Sequence, residues 1–180
     1  MDERADSAAR LACAGLAVEP EALAIATLRY FTRDGEFGAA VLAATGAALP
    51  AALALSESRP AGMVLAWCSP TESWCLTADP ARLAALAARL AGAVDGCLVE
   101  LTGGLDVLRL SGERIDDLLR RLGGAGSVPR PGESRRSRLA DIAVLALSLQ
   151  PCETLLVVER SLRPHLLGWI RETVRDLEPA

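Results

Sequence analysis

The sequence predicts an α+β fold built from two similar halves, each of the order βαββα. Three observations predict it. Short runs rich in β-branched and aromatic residues alternate with amphipathic stripes; residues 99 to 122 read as strand, turn, strand and helix; and short signatures recur about half a chain apart. Leu28-Arg29-Tyr30 before Gly35-Glu36 is answered by Leu108-Arg109-Leu110 before Gly112-Glu113, and Pro70-Thr71-Glu72-Ser73-Trp74 by Pro151-Cys152-Glu153-Thr154-Leu155. A half of this size cannot bury its sheet alone, so both are expected in one domain over 21-180, as halves of about 21-95 and 97-178.

In order, residues 1-20 are alanine-rich and charged and read as a loose N-terminal segment. Leu23 to Thr32 carries Ile25, Thr27, Tyr30 and Phe31 and reads as a strand, after which Asp34-Gly35 turns the chain into a helix through Phe37, Val41 and Ala44. Gly46 and Pro50 end that helix. Met63 to Trp67 and Ser73 to Thr77 read as a hairpin around Ser69-Pro70, and Asp79-Pro80 supplies a cap and first-turn proline for a helix with Leu83, Leu86 and Leu90. Gly92 stops it.

The central unit follows. Gly103-Gly104 between apolar runs predicts a type I′ hairpin that pairs Cys97 to Leu101 with Leu105 to Leu110 and links the halves. Ser111 is the expected cap of a helix whose Ile115, Leu118, Leu119 and Leu122 form one stripe, with Glu113, Asp116, Asp117, Arg120 and Arg121 on the wet face. Gly123-Gly124 stops it, and Gly123 to Arg138 reads as an exposed Gly, Pro and Arg loop. Leu139 to Ser148 and Thr154 to Glu159 form a second hairpin. Ser161 opens a final helix with a stripe of Leu162, Leu166, Trp169, Ile170, Val174 and Leu177.

Composition excludes several functions. The 180 residues are 51% apolar, enough for a core. All 19 basic residues are arginine, so a Walker-A lysine and a Schiff-base lysine are both absent. A net charge of −4 argues against nucleic-acid binding, which must neutralise phosphates. Cys13, Cys68, Cys75, Cys97 and Cys152 lack Cys-x-x-Cys spacing and read as buried thiols of a reducing cytoplasm. The apolar run Ala39 to Leu55 is mostly alanine and is broken by Gly46 and Pro50, so no membrane span is expected; Met1-Asp2-Glu3-Arg4 does not begin a secretory signal.

No catalytic, cofactor-binding or metal residue is assigned. His165 is the single histidine, which rules out a His pair for a metal, and no Gly-x-Ser-x-Gly elbow accompanies it; it reads as structural or solvent-facing. Gly123-Gly124-Ala125-Gly126-Ser127 follows a helix instead of opening one, so the dipole is wrong for phosphate. Asp116 and Asp117 are adjacent on a helix and diverge by about 100°. Trp67, Trp74 and Trp169 read as packing residues. Arg130, Arg135, Arg136 and Arg138, in the most basic segment, are the candidates for contact with a protein partner, against a solvated loop.

The central and C-terminal parts resemble the gamma subunit family of bacterial heterotetrameric sarcosine oxidase. Val99-Glu100-Leu101-Thr102-Gly103-Gly104 leading to Leu108-Arg109-Leu110-Ser111-Gly112 resembles that family's strand, turn, strand and Ser-Gly helix start. Arg138-Leu139-Ala140-Asp141-Ile142 resembles its next strand entry, and Glu159-Arg160-Ser161 before Gly168-Trp169-Ile170 its Arg-Ser opening and tryptophan-bearing last helix. Pro70-x-Glu72-x-Trp74-x-Leu76 is similar to a stretched form of its Gly-Pro-x-Glu-Trp-Leu hairpin, with Ser69-Pro70 in place of Gly-Pro. The resemblance covers roughly residues 63 to 177.

The resemblance implies a fold like the folate-binding domain of aminomethyltransferases, and a non-catalytic subunit that binds no cofactor. FAD, FMN, NAD, tetrahydrofolate and zinc are then held by partner subunits of alpha, beta and delta type, and the complex oxidises sarcosine or a related N-methyl amino acid. A free-standing folate-dependent aminomethyltransferase-like protein is the alternative, and an interaction domain of some other assembly a third.

Overall fold

The chain, described here as a computed structural model, is placed over residues 11–13, 15–58 and 60–177. Its elements are β1 (Leu11–Cys13), β2 (Leu16–Glu21), β3 (Ala24–Tyr30), α1 (Glu36–Thr45), β4 (Leu55–Ser58), β5 (Met63–Ser69), β6 (Glu72–Thr77), α2 (Pro80–Leu90), β7 (Gly96–Glu100), β8 (Leu105–Ser111), α3 (Ile115–Gly123), β9 (Ser134–Leu139), β10 (Ile142–Gln150), β11 (Glu153–Glu159) and α4 (Arg163–Leu177). Two antiparallel sheets result, ordered β1-β2-β8-β11-β10-β9 and β4-β5-β6-β3-β7.

Side-chain alternation sorts these strands into layers. On β3, Ala24, Ala26, Leu28 and Tyr30 pack against Phe37 and Val41 of α1 and Leu83, Leu86 and Leu90 of α2. Ile25, on the opposite face of β3, meets Leu145, Leu147, Leu155 and Val157 of the other sheet. The other half repeats this, with Leu108 and Leu110 against α3 and α4 and Val107 between the sheets. The architecture is therefore helices, sheet, sheet, helices. Strands buried on both faces, such as β11, lose their polar alternation and become continuous apolar runs.

The duplication is explicit in the topology, because β4-β5-β6-β3-β7 has the same order as β9-β10-β11-β8-β2. An irregularity in β5 between Trp67 and Ser69 recurs in β10 between Ser148 and Gln150. Each half is thus βαβββα plus one flanking strand, not the expected βαββα. The first half takes its flank from its own end, β7, whereas the second takes β2 from the start of the chain.

Residues 11–13 and 16–21 are accordingly not loose. β2 pairs with β8 from Ala17↔Ser111 to Glu21↔Val107, and Leu16 and Val18 are buried in the core under α3 and α4. Residues 1–10 of the expected loose segment lie outside the described residues.

The expected hairpin at Gly103-Gly104 is replaced by a crossover between sheets. β7 pairs with β3, β8 pairs with β2 and β11, and neither glycine takes the positive φ that a type I′ turn requires. That geometry occurs instead at Ala140 and Asp141, with φ of 47° and 64°, joining β9 to β10. The segment expected as an exposed loop through Arg138 thus contains β9.

Ser111 ends β8 and does not cap α3, whose start at Ile115 has no side-chain cap. Its stripe is buried as expected, but Leu118 and Leu119 pack only within the second half's core. α1 stops at Gly46, whose φ of 77° lets its N–H reach Leu42 O. Asp79 caps α2 by accepting from Ala81 N–H at 3.0 Å. On α4, Leu166, Ile170, Val174 and Leu177 are buried, while Leu162 and Trp169, expected in that stripe, are exposed. No helix among the described residues is long and apolar enough to cross a membrane.

Candidate interaction site

β3 runs out through Phe31 toward α1, and the chain enters β7 through Val94 and Asp95. The β5–β6 turn brings Thr71 and Glu72 beside them, and together these segments line an open cleft of about 620 Å³ with Arg29, Tyr30 and Cys97. Its rim places large apolar side chains in water: Phe31 is 80% and Val94 84% exposed. Its floor is rigid. Tyr30 stacks on Phe37 with ring centroids 6.4 Å apart, and the Tyr30 and Ser73 hydroxyls are hydrogen-bonded at 2.8 Å. Burial pushes the Tyr30 phenol above its ordinary pKa, so it stays neutral near pH 7. Gly96 is demanded here, since a Cβ would run into the Phe37 ring and stand 2.6 Å from Arg29 O.

The carboxylates at this end hold the frame. Asp95 Oδ1 accepts from Phe37 N–H at 2.7 Å, capping α1, whose own N-cap Gly35 has no side chain to offer. Glu72 Oε1 accepts from Thr27 Oγ1 at 3.0 Å and from Trp74 Nε1 at 3.0 Å. Arg29 lies directly across from Glu72 in the β3–β6 register, yet no described residue forms an ion pair with it. Chemically the cleft is an apolar rim beside a guanidinium with no ion pair among the described residues, an arrangement suited to binding a polypeptide carrying an acid.

The second half carries a related link. Arg109 pairs with Glu21 and Glu153. Trp74 lies opposite Thr27 and Leu155 opposite Arg109, so with Trp74 and Leu155 matched, Thr27 is the counterpart of Arg109. The Arg29-to-Arg109 correspondence read from sequence is therefore shifted by two residues. Glu72 to Thr27 and Glu153 to Arg109 are the same contact, made once as a hydrogen bond and once as an ion pair.

The four arginines singled out by sequence do not gather at this cleft. Arg130 is exposed, and its backbone N–H donates to Glu133 Oε2 at 3.0 Å. Arg135 donates to Gly126 O at 3.1 Å and to Glu133 Oε2 at 3.2 Å. Arg136 and Arg138 are exposed on the edge strand β9, and Arg138 donates to Asp141 O at 3.0 Å. Glu133, held by the Arg130 N–H first and by Arg135, has its pKa lowered from the usual carboxylate range.

Of the other residues considered, His165 is exposed on α4. Ser127 is the buried last residue of a short, otherwise exposed turn and donates to Leu119 O at 2.7 Å. Asp116 and Asp117 lie among exposed ion pairs with Arg120. Cys68 and Cys75 are buried, and burial pushes their thiols up to about 11 and about 12. Cys97 and Cys152 are exposed, contrary to expectation. Among the described residues, no group of three His, Cys, Asp or Glu is placed to hold a metal. The cleft itself escaped the sequence reading; its signal was a large apolar residue next to each loop, Phe31 before Thr32-Arg33-Asp34 and Val94 before Asp95-Gly96.

The fold has solved counterparts. A chain of the heterotetrameric sarcosine oxidase from Corynebacterium sp. U-96, in complex with pyrrole 2-carboxylate, is similar with a TM-score of 0.83 and 24% identity over 95% of this chain and 90% of that one. The glycine cleavage system aminomethyltransferase T from Bartonella henselae is similar with a TM-score of 0.65 and 13% identity, over 87% of this chain but 45% of that one. No protein-family model matches the sequence, and no curated protein does. The chain thus has the α+β fold of a sarcosine oxidase chain, which is also the fold of part of an aminomethyltransferase.

Proposed function

We propose that this chain is a non-catalytic structural subunit, of gamma type, in a sarcosine-oxidase-like heterotetrameric flavoenzyme that oxidatively demethylates sarcosine or a related N-methyl amino acid. The observation that carries the reading is correspondence along nearly whole chains, 95% of this one and 90% of the sarcosine oxidase chain. The likeness to the aminomethyltransferase takes in only 45% of that protein, which favours a subunit over a free-standing folate enzyme.

The chain's own chemistry supports this. It has no lysine, one histidine and one tyrosine, and that tyrosine is locked in the floor of the cleft. Glu72 already accepts from Thr27 and Trp74, and Asp95 from Phe37. These acids are therefore a poor fit to anchor a pterin, and the described residues offer no donor set fit for zinc. FAD, FMN, NAD, tetrahydrofolate and zinc are accordingly assigned to alpha, beta and delta type partners in a cytoplasmic complex. Arg130, Arg135, Arg136 and Arg138 are proposed as partner contacts at the β9 end.

Calorimetric titration of the isolated chain with tetrahydrofolate, together with its absorption spectrum, tests the reading. No flavin absorption and no saturable heat are expected. Stoichiometric binding tighter than about 10 μM, roughly 7 kcal/mol, would replace it with the folate-enzyme reading.

A further inference from the structure

The internal duplication exposes one difference between the halves. In the sheet of the second half, the flanking strand β2 has its outer edge covered: β1 pairs with it through Leu11↔Val18, Ala12↔Ala17 and Cys13↔Leu16. In the sheet of the first half, the equivalent strand β7 ends the sheet, and no strand among the described residues pairs with its outer edge. The opposite edges are not open in this way. β4 and β9 are joined through Ala54↔Glu133, with Leu55 N–H donating to Gly132 O at 2.8 Å and Ser134 N–H to Leu53 O at 2.9 Å.

The direction of the free edge can be read from the ladder. Leu101 N–H donates to Ile25 O at 2.8 Å, and Phe31 N–H donates to Asp95 O at 3.1 Å. Residues 95 and 101 therefore face β3, and by antiparallel alternation so do Cys97 and Val99, while the backbone N–H and C=O groups of Gly96, Leu98 and Glu100 face outward. An unprotected edge is a template for another strand, and natural proteins commonly blunt it with charge, proline or a bulge. Gly96-Cys97-Leu98-Val99-Glu100 has neither proline nor bulge and one charge, at its end. It is flanked instead by exposed apolar groups, Val99 at 47%, Val94 at 84% and Phe31 at 80%.

We propose that β7 is a docking edge: an extended strand of a partner subunit adds antiparallel to it, as β1 adds to β2, with apolar side chains over Val99 and an acidic side chain facing Arg29. Charge complementarity selects this occupant. Arg29 lies directly across from Cys97 in the β3–β7 register and so shares a face with Val99. It lacks an ion-pair partner among the described residues, while Glu72 and Asp95 are occupied by internal hydrogen bonds. A second copy of β7 would bring only Glu100 as an acid. Glu100 alternates with Val99, so it sits on the opposite face from Arg29. Main-chain pairing supplies affinity, and the arginine supplies selection. This inference rests on the proposed subunit role and adds a second contact surface to the arginines at the β9 end.

The test uses the full chain co-expressed with alpha, beta and delta type subunits. Glu100→Pro removes an outward N–H while leaving the β3 ladder intact, as proline is tolerated on a solvent-facing edge. It is expected to weaken assembly about tenfold or more, and Arg29→Glu likewise, with the thermal unfolding of the isolated chain little changed. Hydrogen exchange of the unsubstituted complex supplies a readout that does not depend on a variant folding: the amides of Gly96, Leu98 and Glu100 should slow by about tenfold or more on assembly. Assembly with those amides exchanging as fast as in the free chain would overturn the docking edge and leave the subunit role standing. Protection in the isolated chain at high concentration would assign the edge to a second copy instead and overturn the proposal. Failure of the unsubstituted chain to assemble with any partner would remove the subunit role itself.

Discussion

Asp95→Ala is the most informative single substitution in the first half. The Asp95 carboxylate accepts from Phe37 N–H at 2.7 Å across 58 residues of sequence. It thereby serves α1, whose N-cap Gly35 makes no side-chain bond. Removing a capping carboxylate costs about 0.5–2 kcal/mol, and the lost favourable charge at a helix N-terminus belongs to the same site. A loss of about 1–2 kcal/mol is expected, which in a chain of this size lowers Tm by roughly 2–8 °C. Urea titration should show the midpoint falling with the m-value unchanged. Asp34→Ala is the control, because Asp34 sits at the place the sequence suggests for a local turn but, among the described residues, its carboxylate pairs with Arg33 on the surface. Its substitution should leave the urea midpoint nearly unchanged. If Asp34→Ala proved the costlier of the two, the cap would be local and the role assigned to Asp95 would be wrong.

Leu118 is fully buried in the core under α3 and α4, so Leu118→Ala should cost about 2–5 kcal/mol in denaturant titration. Asp117→Ala should cost under about 0.5 kcal/mol, because its carboxylate is half in solvent and its contacts to Arg114 and Arg120 are long, 3.7 and 3.9 Å. Ala140→Gly should stabilise the chain by about 1 kcal/mol, since Ala140 holds a left-handed φ of 47° in the β9–β10 turn. A non-glycine residue there is penalised by about 1–2 kcal/mol, partly offset by glycine's greater freedom when unfolded.

What was legible in the sequence was whatever rests on local pattern. The α3 stripe, the Asp79-Pro80 cap, the Gly46 stop and the β5–β6 hairpin all follow from residues within a few positions of one another. What misled was pairing. Gly103-Gly104 has the right residues for a hairpin, but β8 finds β11 and β2 instead, and 101–104 becomes a crossover. The turn that takes positive φ at both central residues uses Ala140-Asp141, which carries no glycine to announce it.

β9 was hidden because Ser134-Arg135-Arg136-Ser137-Arg138 reads as solvated loop, although edge strands are where charged side chains are tolerated. β2 was hidden because its burial depends on a partner about ninety residues away, Leu110 against Val18. The cleft shares that origin: Phe31, Val94 and Glu72 meet only when β3, β7 and β6 lie side by side. The repeat was detectable from short signatures, but its register was set by the strand pairings that oppose Trp74 to Thr27 and Leu155 to Arg109.

The central claim is that this chain is a structural subunit of a sarcosine-oxidase-like complex, and assembly tests it most directly. Alpha, beta and delta type subunits would be expressed with and without this chain, purified through a tag on one of them, and assayed for stoichiometry and for oxidation of sarcosine. The account expects one defined complex that contains this chain and oxidises sarcosine or a related N-methyl amino acid, and failed assembly when the chain is omitted. A complex that forms and turns over equally well without it, or partner subunits that never retain it, would contradict the account.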